Sequence, residues 1–249
     1  MLYVFRVRAV PEISYAPDRA VCTRRTMPEA YIAVGDIHGC LDQLLEVLQQ
    51  CAAYPGHRYV FLGDYIDRGP SSNEVIDTIR KLNAVWLMGN HEQSLIWYIQ
   101  RNHDSAKTTI GANVPEISAG NLSWIQTELR LYYETQGYIF VHAGIDSKKA
   151  LSQQDSSDLL WSRYDGDYSE LGNRKVIHGH MKVDHVVQRG NRMNINTGAG
   201  FGGPLTAYVL PEMHVIQSSP SPKYSQGNLE KEREELLELY GIEAELEDV

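Results

Sequence analysis

Between residues 31 and 102, three short apolar runs alternate with three amphipathic segments, and this alternation constrains the fold more than any other feature. The apolar runs are YIAVGD (31–36), HRYVFLGD (57–64) and NAVWLMGN (83–90). The amphipathic segments are LDQLLEVLQQCA (41–52), SSNEVIDTIRKL (71–82) and HEQSLIWYIQRN (91–102). Short apolar runs predict buried strands, and apolar residues spaced three or four apart predict helices. A βαβαβα order implies parallel strands covered by helices, so we predict an α/β fold.

The second half of the chain is richer in predicted strands. One predicted helix, NLSWIQTEL (121–129), follows a polar loop over 103–120. The later apolar runs are GYIFVHAG (137–144), KVIHGH (175–180), HVVQRGNRMNINTG (185–198), LTAYVL (205–210) and EMHVIQS (212–218). The chain has 249 residues, of which 43% are hydrophobic, so its apolar side chains suffice for one domain core.

The negative charge of the chain is concentrated at its end. The formal net charge is −9, and nine acidic residues against Lys231 and Arg233 give residues 228–249 a net charge of −7. The acidity belongs to a terminal segment, and we predict no nucleic-acid partner. No apolar run reaches the ~18 to 20 residues that span a bilayer, so no membrane association is predicted. The three cysteines form no C-x-x-C pair, which favours a cytoplasmic location, while the oligomeric state stays open.

Polar side chains of particular types follow the predicted strands. They are, in chain order, Asp36, His38, Asp64, Asn90, His91, His142 and His180. Because the carboxyl ends of strands in an open α/β sheet share one edge, we expect these side chains to converge. A single aspartate there more often caps a helix, and a single histidine is more often a core residue. The combination of carboxylate, amide and imidazole instead indicates a pair of divalent transition-metal ions, since calcium binds oxygen.

Five short motifs carry these residues: GDIHG, GDYIDRG, GNHE, VHAG and GH. The set resembles the calcineurin-like metallophosphoesterases, and within them the phosphoprotein phosphatase branch with its bacterial and phage-type serine/threonine phosphatases. The resemblance covers about residues 31–210 and implies two stacked mixed β-sheets flanked by helices in a four-layer sandwich. Together with the proline- and serine-rich composition after residue 217, it predicts an N-terminal extension (1–28), a metallophosphoesterase domain (29–217) and a linker with an acidic tail (218–249).

The resemblance also implies how the cluster would bind two divalent metal ions. Manganese is the expected metal, with iron and zinc as alternatives. Asp36 and His38 would hold the first ion, and Asp64 would bridge both. The second ion would be held by Asn90, His142 and His180.

Other residues would act on the substrate. The resemblance implies that Arg68, Arg163 and Asn90 bind the phosphate, and a guanidinium suits this role because it donates to two oxygens at once. His91 would give a proton to the leaving oxygen. Asp67 would orient His91 and favour its protonated form.

Three further features of the sequence bear on the ligand set and on the subfamily. His178 lies on the same strand face as His180 and is expected behind the ligands, with direct metal binding left open. GHM stands where bacterial members often have GHT, and Asn196 stands where aspartate is common. Neither departure removes a predicted ligand, and both bear on subfamily and substrate.

The predicted function is metal-dependent hydrolysis of phosphomonoesters, foremost phosphoserine or phosphothreonine in proteins, by a hydroxide that bridges the metals. A symmetrical dinucleoside tetraphosphate hydrolase is the alternative enzyme, and Asp67, Arg68 and Glu92 favour the phosphatase over it. A catalytically inactive metal-binding docking module is the third hypothesis, which the complete set of ligands, acid and arginines disfavours. The expected partner is a phosphoprotein or a small phosphoester substrate.

Overall fold

The computed structural model describes residues 30–101, 117–164 and 166–222. The extension predicted over 1–28, residues 103–116 of the predicted loop and the acidic segment from 223 onward lie outside these ranges. Within them the chain forms two five-stranded mixed sheets flanked by helices, which confirms the predicted fold class. None of the helices in the described ranges has the length and apolar character needed to cross a membrane.

Most of the helices and strands form where the apolar patterns predict them. The strands are β1 (Tyr31–Val34), β2 (Arg58–Phe61), β3 (Ala84–Trp86), β4 (Tyr132–Glu134), β5 (Tyr138–Val141), β6 (Lys175–His178), β7 (Val187–Arg189), β8 (Arg192–Asn194), β9 (Thr206–Leu210) and β10 (His214–Gln217). The helices are α1 (Leu41–Cys51), α2 (Ser72–Ile79), α3 (Asn90–Arg101), α4 (Ala119–Glu128) and α5 (Ser156–Trp161). The short elements β4 and α5 were not predicted.

Each sheet contains three neighbouring parallel strands. The first sheet has the order β10-β9-β1-β2-β3, in which β1, β2 and β3 are parallel. The second has the order β4-β5-β6-β8-β7, in which β5, β6 and β8 are parallel. Val34 lies opposite Phe61, so β1 and β2 end at the same height. The residues that follow these strands therefore start from one edge.

Alternate residues of the central strands pack into different layers. Tyr31 and Ala33 of β1 belong to an apolar cluster shared with Phe140 and Ile177 of the second sheet. The intervening residue Ile32 belongs to the cluster that includes the buried faces of α1 and α2. This alternation follows from the two-residue period of a strand and stacks the two sheets face to face.

The sequence predicts an apolar stripe of Leu41, Leu44, Leu45 and Leu48 on α1, and the buried face of the helix differs from it at Leu45. Leu44, Val47 and Cys51 are buried, whereas Leu45 is 50% exposed. Leu44 and Leu45 are consecutive and therefore point about 100° apart, so the helix buries only one of them fully.

Candidate metal centre

Asp64 lies at the middle of the converging strand-end residues. One of its carboxylate oxygens, Oδ2, is 3.6 Å from His38 Nε2, 3.5 Å from His142 Nε2 and 4.0 Å from His91 Nε2. These imidazoles follow three other strands, so four segments distant in sequence meet at this carboxylate. Although burial alone would raise it, the charges of His142, His91 and His38 hold the pKa of Asp64 well below its ordinary value.

Two groups of side chains around Asp64 have the geometry to hold an ion. Asp64, His142 and His180 offer ligand atoms that all lie within 4.8 Å of one another, and so do His38, Asp64 and His91. Asp64 belongs to both groups, as expected of a bridging carboxylate. The second group contains His91, which was predicted as a proton donor, and does not contain Asp36.

Asp36 is nevertheless held at the same centre. Its carboxylate accepts hydrogen bonds from the His180 backbone N–H at 3.1 and 3.2 Å and from Asn196 Nδ2 at 2.6 Å. Burial raises the pKa of Asp36 to about 7, against the opposing charge of His142. A buried carboxylate with this tendency to neutralise is stabilised as an anion by a nearby cation.

Asn90 joins the group formed by Asp64, His142 and His180. Its Oδ1 atom lies 2.9 Å from His142 Nε2 and 3.1 Å from His180 Nδ1. An amide oxygen and two imidazole nitrogens thus point at a common position beside Asp64. This oxygen- and nitrogen-rich donor set fits a divalent transition ion.

The buried imidazoles are oriented by backbone carbonyls. The Nδ1 atoms of His38 and His142 lie 2.9 Å from the carbonyl oxygens of Ile66 and Leu62. When Nδ1–H donates to a carbonyl, the Nε2 lone pair faces Asp64, and a second hydrogen bond of this kind is typical of histidines that bind metals. Burial, followed by the charge of Arg68, lowers the pKa of His38 well below its ordinary value. The neutral form is the one that binds a cation.

His178 lies behind the cluster. It is buried, its Nδ1 contacts the carbonyl of Gly179 at 3.0 Å, and its Nε2 lies 3.5 Å from Arg192 Nη1. Burial, followed by the charge of Arg192, lowers the pKa of His178 to about 3. For His180, burial and the charge of His142 lower the pKa to about 4. His178 is absent from both ligand groups.

Several site residues occupy left-handed backbone conformations. His38 (φ 49°), Asp64 (φ 53°), Asp67 (φ 69°), Arg68 (φ 65°) and His180 (φ 63°) are five of the six such non-glycine residues in the described ranges. This conformation costs energy for residues with a Cβ atom and is commonly found where function requires a particular side-chain direction. The tight turns after the strands turn these side chains towards one another.

The glycines of GNHE and GH leave room for the carboxylates. A Cβ atom on Gly89 would overlap Asp64 Oδ1, and a Cβ atom on Gly179 would overlap Asp36 Oδ1. Each glycine is therefore required by close approach of a neighbouring strand-end carboxylate. These glycines are therefore needed for the positions of the carboxylates as well as for the turns.

Glu92 holds the loop that carries Asp64. Its carboxylate is fully buried and accepts four backbone N–H bonds. The donors are Asp64 (3.0 Å), Tyr65 (2.7 Å), Ile66 (3.2 Å) and Gly89 (3.0 Å). One side chain at the start of α3 thus ties together the loops after β2 and β3.

His91 and Asp67 form a close pair beside the cluster. His91 Nδ1 contacts Asp67 Oδ2, and the His91 backbone N–H donates to Asp64 Oδ1 at 3.1 Å. Burial alone would lower the pKa of His91, but the charge of Asp64 and the hydrogen bond to Asp67 raise it to about 9. Both contacts favour the protonated imidazole, which can donate from Nε2.

The two predicted phosphate-binding arginines differ in their surroundings. Arg68 is half-buried, and its guanidinium carbon lies 3.7 Å from the ring centroid of Phe201. Arg163 is exposed. Its charge contributes to the lowered pKa of His180, to which burial and the charge of His142 contribute more. Both cations lie close enough to affect the cluster, because the charge of Arg68 helps to lower the pKa of His38 and that of Arg163 helps to lower the pKa of His180.

Three residues at this centre were not predicted as part of it. Asn196 donates to Asp36 and, at 3.0 Å, to the carbonyl of His180. Trp161 is 41% exposed, with its ring centroid 6.2 Å from that of His180. Phe201 covers Arg68. The sequence contained a signal for Asn196, because an amide at a position where aspartate is common can donate to Asp36, whereas an aspartate would repel it. The contacts of Trp161 with His180 and of Phe201 with Arg68 join distant parts of the chain and left no such signal.

Comparison with known families gives one match that spans most of the chain. The model of the calcineurin-like phosphoesterases matches residues 31–206. This span includes all the strand-end residues of the cluster.

Relatives with two different functional names are similar to the chain. An asymmetrical bis(5'-nucleosyl)-tetraphosphatase, PrpE of Anoxybacillus flavithermus, is 29% identical over 232 residues, which cover 77% of this chain and 94% of PrpE. Serine/threonine-protein phosphatase 2 of Salmonella typhimurium is 31% identical over 204 residues, which cover 71% of this chain and 91% of the phosphatase.

A solved structure has the same fold. The crystal structure of a protein assigned as a diadenosine tetraphosphatase superposes with a TM-score of 0.64 and 20% identity, covering 78% of this chain and 96% of that protein. At this identity the likeness concerns the fold alone.

Proposed function

The chain belongs to the calcineurin-like phosphoesterase family, and from this premise we propose that it hydrolyses phosphoesters with the help of two divalent metal ions, which Asp64 and the side chains around it would hold. The observation that carries the proposal is the shared position of Asp64 in both groups of ligand atoms. When bound, two such ions activate water and stabilise the charge of an in-line displacement at phosphorus.

We assign the ion-binding roles as the resemblance implies them. Asp36 and His38 contribute to one position, and Asn90, His142 and His180 contribute to the other. The donor set of carboxylate, amide and imidazole supports a transition ion. Manganese is the proposed metal, and iron and zinc are the alternatives.

The chain's own cations would bind the phosphate. The guanidinium of Arg68 is fixed on Phe201 beside the cluster, and Arg163 lies at the rim. Forked donors of this kind suit the equatorial oxygens of a phosphoryl group. Asn90 is proposed to contribute to phosphate binding from its place between the two histidines.

His91 would protonate the leaving oxygen. Its Nδ1 is occupied by Asp67, so the remaining proton on Nε2 faces the cluster. The raised pKa keeps that proton available at neutral pH. An alkoxide, such as the serine side chain released from phosphoserine, needs this proton more than an aryl oxide does. Phosphoserine and phosphothreonine in proteins are therefore the first proposed substrates.

Dinucleoside tetraphosphates are the second proposed substrates. PrpE of Anoxybacillus flavithermus carries the name of an asymmetrical bis(5'-nucleosyl)-tetraphosphatase. For this chain, that similarity favours asymmetrical cleavage over the symmetrical cleavage that was the alternative enzyme activity considered from the sequence.

Cytoplasmic residence is part of the same proposal. Cys40 and Cys51 are buried as thiols and not joined in a disulfide, which suits a reducing compartment.

The decisive experiment compares substrates and metals on the purified chain. Metal-free protein would be reconstituted with manganese, iron or zinc and offered a phosphoserine peptide, p-nitrophenyl phosphate and diadenosine tetraphosphate. We expect metal-dependent release of phosphate from the peptide, with about two ions bound per chain. Turnover restricted to the dinucleotide would remove the protein phosphatase assignment, and unequal nucleotide products would identify asymmetrical cleavage. No turnover of any phosphoester at full metal occupancy would refute the proposed function.

A further inference from the structure

Two cations share one aromatic ring at the edge of the metal centre. The guanidinium carbon of Arg68 lies 3.7 Å from the centroid of Phe201, and Lys182 Nζ lies 5.5 Å from it. The two charges are therefore at most about 9 Å apart, the sum of these distances. The same ring lies 6.5 Å from the ring of His38, nearly perpendicular to it at 89°. Lys182 thus extends the positive charge outward from the cluster.

The loop that carries Phe201 is held in a fixed shape. Ala199–Phe201 form a short 3₁₀ turn between Gly198 and Gly202, which both have positive φ. Gly200 lies against the site, because a Cβ atom there would come within 2.7 Å of His38 Cβ and 2.8 Å of Arg68 Cδ. The loop is also anchored from behind. Its position is consequently set by contacts on both sides.

That anchor is the amide of Gln43 on α1. Gln43 is buried, and its Nε2 donates to the Gly203 carbonyl at 2.8 Å. It also donates to Ser218 Oγ at 3.1 Å and to the Ser219 carbonyl at 3.0 Å.

The stem of Lys182 packs against this loop while its charge stays outside. A Cβ atom added to Gly198 would lie 2.9 Å from Lys182 Cε and 3.1 Å from Cγ, so the methylene chain runs along the loop backbone. The residue itself is exposed. No carboxylate in the described ranges forms an ion pair with Lys182 within 4.0 Å. A held ammonium near a guanidinium favours an anion that contacts both.

We infer that Lys182 binds the phosphate group next to the one bound by Arg68, so that the site accepts compounds with linked phosphates, such as nucleoside polyphosphates. This inference rests on the proposed function, which places the reacting phosphate at Arg68 and the metal ions. It adds a subsite that a phosphoserine does not fill. Lysine suits the task because its ammonium acts as a point charge towards phosphate without requiring one orientation.

The test uses linked and single phosphates as inhibitors. Hydrolysis of p-nitrophenyl phosphate would be measured at constant free Mn²⁺ with added tripolyphosphate or orthophosphate, for the wild-type chain and for Lys182→Gln. We expect the substitution to raise the inhibition constant of tripolyphosphate about 5- to 10-fold more than that of orthophosphate, the size of one charged contact to phosphate. Lys182→Arg should restore most of the tripolyphosphate affinity.

Lys81→Gln is the matched control. Lys81 is exposed and follows α2 just before β3, at the opposite edge of the sheet from the cluster. The substitution removes the same charge as Lys182→Gln, and we expect it to change the inhibition constant of neither tripolyphosphate nor orthophosphate. If Lys81→Gln and Lys182→Gln have equal effects, the subsite is refuted and only the net charge matters.

Two further outcomes separate the subsite from the proposed function. Wild-type protein that binds tripolyphosphate no better than orthophosphate, or equal losses for both inhibitors in Lys182→Gln, would overturn the subsite while leaving phosphoester hydrolysis intact. A wild-type chain without phosphoesterase activity would refute the proposed function. Calorimetric titration of the metal-loaded chain with tripolyphosphate then compares the same variants and decides the subsite.

Discussion

At the scale of single residues, the carboxylate of Asp64 is the group on which the other side chains of the site converge. Three imidazoles approach its Oδ2 atom, and its other oxygen accepts the backbone N–H of His91. These contacts fix the position of the carboxylate, and its negative charge is available to bind cations.

Asp64→Asn should abolish activity while the fold is retained. The substitution nearly preserves volume but removes the charge that two cations share. We expect fewer than two metal ions per chain by elemental analysis, background turnover of p-nitrophenyl phosphate, and an unchanged far-UV circular dichroism spectrum. Two bound metals with normal turnover would show that Asp64 does not bridge them.

His91→Ala should separate proton donation from metal binding. A general acid contributes about 10²- to 10⁴-fold, and most for a poor leaving group. The variant should lose a rate factor in that range on a phosphoserine peptide, lose less on p-nitrophenyl phosphate, and keep two metals. His91 also belongs to one of the two possible ligand groups. Equal losses on both substrates with reduced metal content would therefore assign it to the metals instead.

Asp67→Asn should move the pH profile of the enzyme. The hydrogen bond from His91 to Asp67 helps to raise the pKa of His91 to about 9, so its acid form is lost as pH rises through that value. Removing the carboxylate charge lowers the pKa, and the alkaline limb of kcat/KM for a phosphoserine peptide should shift to lower pH by about one unit or more. An alkaline limb that stays in place would exclude His91 as the titrating acid.

At the scale of secondary-structure elements, the start of α3 supports the loop after β2. Glu92 of α3 accepts N–H bonds from three consecutive residues of that loop, Asp64 to Ile66, and from Gly89. The residue types of GNHE therefore serve two purposes, since Asn90 and His91 face the cluster while Glu92 fixes the backbone behind it.

Glu92→Gln should destabilise the protein although it is nearly isosteric. An amide NH₂ group would replace one acceptor oxygen and face buried backbone donors, which leaves at least one of them unsatisfied. We expect a loss of about 2 to 4 kcal/mol in the free energy of unfolding, measured by urea denaturation. Glu74→Gln on the exposed side of α2 is the control and should change it by less than about 0.5 kcal/mol. Similar values for the two variants would contradict a supporting role for Glu92.

The elements also show how far sequence patterns reach. The alternating apolar and amphipathic runs predicted α1, α2 and α3 and their strands because each pattern is local. The convergence of Asp36, Asp64 and Asn90 followed from the shared edge of parallel strands. By contrast, the contacts of Phe201 with Arg68 and of Trp161 with His180 join residues of different loops, and no local pattern encodes them.

At the scale of the whole molecule, stacking of the two sheets assembles the centre from both halves of the chain. Asp36 follows β1 of the first sheet, and its carboxylate is held by the His180 backbone, which follows β6 of the second sheet. Asp64 and His142 meet in the same way. Neither sheet alone carries the complete set of residues, so the centre depends on the packing between them.

The domain limit predicted at residue 217 stays a prediction, and the structure shows contacts just beyond it. Ser218 is buried, its Oγ accepts from the Leu205 N–H at 2.9 Å, and it also contacts Gln43. Ser221 donates to the Gly202 carbonyl at 3.2 Å. Residues 218–221 therefore pack against the loop that carries Phe201, and the predicted linker is held at its start.

Removal of residues 223–249 should leave the turnover of p-nitrophenyl phosphate within about twofold of the full chain, because the contacts of residues 218–221 are kept. Ending the chain after Gln217 should instead lower the free energy of unfolding, since Gln43 and the Leu205 N–H lose buried partners at about 1 to 3 kcal/mol for each unsatisfied group. Both chains would be compared by thermal unfolding and by steady-state kinetics with Mn²⁺. A large loss of turnover in the chain that lacks only residues 223–249 would mean that the acidic segment takes part in the site. Equal stability of the two shortened chains would mean that the contacts of Ser218 contribute nothing to the fold.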